Sequence, residues 1–170
     1  PCLPLYTTPD CFQCDLLNNF LQRYTEGGDY KFVYWGHSGS NTRLHSDVLN
    51  SFSWSYNVVG KKKWKFHVPS YCSDSSQTIN CNAAEKTFEL IQQTGETIFV
   101  PSTWKHEVTN LVETISINHN WITSANIDNT WQCLMVEMVA IEDEMKMWGA
   151  VPDNDYEARE NMLRGCIGLD

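Results

Sequence analysis

The chain has 170 residues, 42% of them hydrophobic and 12% aromatic, enough for one domain with a real core and too apolar for a disordered chain. Twelve Lys and Arg against 21 Asp and Glu give a formal charge of -9. Such a surface repels polyphosphates, which argues against direct nucleic-acid binding and makes a basic protein or peptide partner electrostatically easier to accept. No apolar run approaches the ~20 residues of a membrane span.

The first residue is Pro1 rather than Met, and the chain reads as a piece of a longer product. Asp10 and Gln13 approach a capping box, and Phe12, Leu16, Leu17, Phe20, Leu21 and Tyr24 recur at helical spacing. This predicts a helix over about 10–24, a lead-in spanning 1–29. Cys11 and Cys14 are the only close pair among seven cysteines, with no second pair at zinc-site spacing. This favours free thiols in a reducing compartment, the cytoplasm or the nucleus, over a zinc site or disulfides.

From Tyr30 the texture turns to short β-rich runs near 31–36, 43–48, 52–59, 62–68, 87–92, 97–100, 105–110 and 114–121. Eight such strands suit a mainly β, double-sheet jelly roll, with 30–121 as its domain. Residues 69–86 are polar and read as a surface excursion. After Trp121 the period becomes helical: Ile127, Trp131, Leu134, Met135, Met138, Ile141 and Met145 form one stripe, ended by Gly149 and Pro152. A short last helix over about 155–164 completes a C-terminal helical segment, 122–170. The stripe reads as core or dimer packing.

Within this frame His45 and Asp47 stand two residues apart in a strand-like run, so their side chains would share a face. His106, after the turn at Pro101–Trp104, is the best third ligand; His37 and His67 are weaker. Two histidines and one carboxylate with open positions opposite are the ligand set of non-heme iron(II) oxygenases. Among the clustered lysines, alternation puts Lys61, Lys63 and Lys65 with His67, but Lys62 with Trp64, Phe66 and Val68. A lysine on an apolar face snorkels out or meets a buried anion, and an acidic cosubstrate chelating the metal would supply one. Ser53, Ser55 and Asn57, and likewise Ser116, Asn118 and Asn120, alternate with apolar or aromatic residues. Alternation alone leaves open which face turns inward. Thr42 could offer a hydroxyl to a bound carboxylate.

The runs FVYWGHSGSNTRLHSD, WSYNVVGKKKWKFHVP and GETIFVPSTWKHEVTNLVETISINHNW resemble the JmjC (jumonji C) oxygenases. The texture is most similar to the jumonji-domain-containing protein four subgroup, lysyl hydroxylases of a translation release factor. The resemblance implies a cupin-like double-stranded β-helix using iron(II), 2-oxoglutarate and O2. It implies His45, Asp47 and His106 as metal ligands and catalytic centre, Lys62 as partner of the distal 2-oxoglutarate carboxylate, Thr42 as a hydroxyl on that carboxylate, and Asn120 as an amide beside the cosubstrate. Ser55 stands where several relatives have asparagine. The implied activity is hydroxylation of a protein side chain, with N-methyl-lysine demethylation and a non-catalytic jelly-roll binding module as alternatives. A cupin-type isomerase is more distant, because it would not need Lys62. Oligomeric state is left open.

Overall fold

The eight β-rich runs form eight strands in the computed structural model, which describes residues 6–24, 28–69 and 86–147. They are β1 (Lys31–Gly36), β2 (Asn41–His45), β3 (Phe52–Val59), β4 (Lys62–Val68), β5 (Lys86–Gln92), β6 (Thr97–Val100), β7 (Lys105–Asn110) and β8 (Thr114–Trp121). Two helices precede and follow them in the chain, α1 (Leu16–Tyr24) and α2 (Ile127–Met147). The chain divides into two compact units, Lys31–Asn120 and the pair of segments Pro1–Tyr30 and Trp121–Asp170.

The first unit is a jelly roll. Its strands form two four-stranded sheets, β1-β8-β3-β6 and β2-β7-β4-β5. Successive strands switch sheets except at β4 and β5, which pair directly from Lys62↔Gln92 to Val68↔Lys86. The polar excursion expected between these two strands lies, over 70–85, outside the described residues.

The two sheets bury different chemistry. On the β2 sheet, Lys62, Trp64, Phe66 and His106 turn inward, and Lys63–Glu89 and Lys65–Glu107 ion pairs cross the outer face. On the β1 sheet many buried side chains are polar, namely Ser53, Ser55, Asn57, Ser116 and Asn120, beside the buried apolar Trp54 and Val100. Its apolar residues Val33, Trp35, Tyr56 and Val58 stay exposed, Trp35 by 75%. The face that alternation left unassigned is therefore the polar one. An apolar cluster of Trp64, Phe66 and Val100, with Leu90, Ile98, Trp104 and Val108 against it, fills the interior at one end.

Two expectations on local structure need correction. β2 runs over 41–45 rather than 43–48, so Asp47 lies beyond the strand and precedes a 3-10 turn at Val48–Asn50. The helix expected from residue 10 begins at Leu16, preceded by a separate 3-10 turn at Asp10–Phe12. Gln13 does bond Asp10, at 2.7 Å, but the helix is capped by Asp15, whose Oδ1 accepts the Asn18 backbone N–H at 2.9 Å. Along α2, Ile141 and Met145 are buried, whereas Ile127, Trp131 and Met135 are exposed, so the apolar stripe is covered only in part. The stop at Gly149 and Pro152 and the helix expected over 155–164 lie outside the described residues. No helix among the described residues is long and apolar enough to cross a membrane.

Candidate metal and cosubstrate site

The β2 and β7 ladder places His45 directly opposite His106, with ring centroids 4.3 Å apart. A register shift between Thr42 and His45 shows a bulge at the end of β2, a common device for re-aiming a side chain beside a site. Asp47 completes the set: one ligand atom from each of His45, Asp47 and His106 lies within 4.8 Å of the others.

Each ligand is already oriented. The Nδ1 of His45 lies 2.8 Å from the Arg43 carbonyl oxygen, and that of His106 lies 3.3 Å from the Trp104 carbonyl oxygen. A carbonyl only accepts, so Nδ1 carries the proton in both rings and Nε2 keeps its lone pair for a metal. Burial, the largest influence, holds the His106 imidazole below its ordinary pKa, which favours the neutral ligand form; Asp47 opposes this shift. Ser53 Oγ donates to Asp47 Oδ2 at 2.7 Å, and Asn120 Nδ2 donates to Oδ1 at 2.9 Å. Each carboxylate oxygen retains a second lone pair, so the donor set fits a divalent metal with hard and borderline ligands.

The triad opens into a cavity of about 240 Å³ whose lining also includes Tyr34, Thr42, Lys62, Asn110, Thr114 and Asn118. Lys62 is 5% exposed. Its Nζ donates to Ser116 Oγ at 2.6 Å, and it has no carboxylate partner among the described residues. Burial lowers its pKa from 10.5 to about 8. A buried ammonium without an anion, facing the cavity that holds the metal ligands, is suited to a small acid.

The other expected residues fall in different places. Thr42 lines the cavity from β2. Asn120 lines it too, and its amide Nδ2 donates both to Asp47 Oδ1 and to Ser51 Oγ at 3.1 Å, which steadies the Asp47 carboxylate. Ser55 does not line the cavity: it is buried behind Asn118, and its hydroxyl donates to Asn118 Oδ1 at 3.2 Å. The roles of Ser53, Ser116 and Asn118 went unassigned from sequence, though the polar alternation of β3 and β8 carried the signal.

A jelly roll holding two histidines and a carboxylate in one polar cavity is the arrangement of cupin-like metal-site proteins. Among these, the chain is similar to the JmjC family. The model of the JmjC domain, hydroxylase, matches residues 71–121, a stretch that includes His106 and Asn120 but begins after His45, Asp47 and Lys62. Over 98% of its length the chain is 36% identical to the 2-oxoglutarate and iron-dependent oxygenase JMJD4 of Danio rerio, covering 44% of that protein. It is 35% identical to the human protein of the same name, over all of this chain and 45% of the relative. It is 38% identical to the arginine-specific demethylase JMJ20 of Arabidopsis thaliana, over 90% of this chain and 40% of the relative. The chain thus spans less than half the length of these relatives.

Proposed function

We propose that this chain forms the iron(II)- and 2-oxoglutarate-binding core of a dioxygenase that hydroxylates a protein side chain, a lysine of a translation release factor being the first substrate to test. The observation that carries the reading is one cavity holding both the His45, Asp47 and His106 set and a buried Lys62 without an anion. The JMJD4 relatives, named for 2-oxoglutarate and iron, support it.

The chain's residues divide the work. The two Nε2 atoms and Asp47 would hold iron(II) on one side, leaving coordination positions for cosubstrate and O2. Lys62 would pair with the distal carboxylate of 2-oxoglutarate, and Thr42 lies on the same wall to receive it. Hydrogen bonds from His45, His106, Ser53 and Asn120 keep the ligands aimed, so little reorganisation is needed when the site fills. When bound, iron(II) supplies the activation of O2, coupled to decarboxylation of 2-oxoglutarate to succinate and CO2.

The test is turnover of 2-oxoglutarate to succinate by the full-length protein, with His45→Ala as control; equal turnover by both would end the catalytic reading. A second reading, N-demethylation of a methylated cationic side chain, is favoured by the 38% identity to a relative named as an arginine-specific demethylase. Product mass separates the two, since hydroxylation adds one oxygen and demethylation removes a methyl group.

A further inference from the structure

The two histidines are spaced by a β ladder, but Asp47 lies past the end of β2 and needs another support. It begins a turn in which Leu49 and Asn50 adopt φ of 53° and 49°, a left-handed conformation that Asn tolerates but that is unfavourable for Leu. His106 follows a second such turn, in which Thr103 has φ of 69°. Non-glycine residues in this region are uncommon, and both turns adjoin metal ligands. A side chain joins them: Ser102, buried to 6% exposure, donates its hydroxyl to the Asn50 carbonyl oxygen at 2.5 Å.

We propose that Ser102 is a positioning residue, a latch tying the turn that carries Asp47 to the turn that leads into His106, so that carboxylate and imidazole stay at ligand distance before a metal arrives. Two unfavourable turns persist only when their surroundings hold them. Ser53 and Asn120 hold the Asp47 carboxylate itself, whereas Ser102 holds the backbone behind it. The proposal rests on the metal reading of the triad, and its test separates the two.

Manganese(II), redox-silent in place of iron(II), is titrated into full-length protein and followed by electron paramagnetic resonance, with the metal-free fold checked by circular dichroism. Loss of a group hydrogen-bonded directly to a ligand weakens metal affinity by about 10–100-fold; Ser102 acts one step further back, so S102A is expected at the low end, about tenfold weaker than wild type. S102T keeps the hydroxyl and should restore binding. S102C keeps the volume with a weaker donor and should fall between them; it carries the test should S102A not fold. Wild-type affinity in S102A or S102C, or a loss in S102A that S102T does not reverse, overturns the latch alone. A wild-type protein that binds no manganese overturns the metal reading and the latch with it.

Discussion

Replacing Lys62 by Met should make the metal-free protein more stable near neutral pH while abolishing its affinity for a dicarboxylate. Burial lowers the Lys62 pKa from 10.5 to about 8, roughly 2.5 units at ~1.4 kcal/mol each. The protonated lysine therefore costs the folded state about 3 kcal/mol. Met fills similar volume without that cost, but Ser116 Oγ loses the donor that reaches it at 2.6 Å, worth about 1 kcal/mol. The net expectation is a gain of about 2 kcal/mol at pH 7. The sign with pH follows from linkage. Below pH 8 both folded and unfolded states hold the proton, and the cost is complete. Between 8 and 10.5 only the unfolded state holds it, so wild-type stability rises with pH and the advantage of Met disappears near pH 10. Dicarboxylate binding to wild type should show the mirror image, since it needs the ammonium: affinity falls up to tenfold per unit above pH 8. Urea denaturation of both proteins at pH 7 and pH 10, with calorimetric titration of 2-oxoglutarate, measures all of this. A Lys62→Met protein less stable than wild type at pH 7, or a stability difference indifferent to pH, would refute the reasoning.

Asn120→Ala should weaken manganese binding by about 10–100-fold, because its amide holds Asp47, yet leave the 2-oxoglutarate affinity of metal-saturated protein near wild type. The reverse pattern in paired titrations would return Asn120 to the cosubstrate. Gly60, at φ of +99°, turns the chain into β4 with no room for a side chain: an added Cβ would strike the Glu113 carbonyl and Thr114. Gly60→Ala should therefore lower stability by roughly 2 kcal/mol or more, and an unchanged thermal midpoint would contradict this. Manganese at one hundred times its dissociation constant should raise unfolding stability by about 2.7 kcal/mol in wild type, with no comparable rise at that concentration in His45→Ala.

Period-two alternation made the strands legible, because each strand of a closed jelly roll has one buried and one outward side. The same alternation singled out Lys62, which does share a buried face with Trp64 and Phe66. It failed where local and tertiary signals part. Nothing in the residue types of β3 says that Ser53, Ser55 and Asn57 are buried while Tyr56 and Val58 stay exposed, and of these three only Ser53 lines the cavity. The structure brings His45 and Asp47 together by another route than a shared strand face: Asp47 lies beyond β2, at the start of a turn, within 4.8 Å of the histidine ligand atoms. The start of α1 was misplaced because Asp10 and Asp15 are both plausible caps, and only Asp15 receives a helix N–H. Ser102 carried no local signal, since its bond to Asn50 spans 52 residues of sequence.

The division of contacts around the triad says what the metal would do for the fold. His45 and His106 belong to the β2 sheet, paired across one ladder. Asp47 makes its side-chain bonds to Ser53 of β3 and Asn120 of β8, both in the β1 sheet. Away from the apolar cluster around Trp64, Phe66 and Val100, polar groups line much of the space between the sheets, where hydrophobic burial contributes little. A metal gripped by all three ligands would therefore fasten the two sheets together at the polar part of the interior. A dicarboxylate reaching Lys62 would neutralise the other costly group there. The cavity's chemistry and the stability of the jelly roll are thus linked, and ligand-free protein should open first at this polar region, with exchange of the β2 and β8 amides slowing once metal is added.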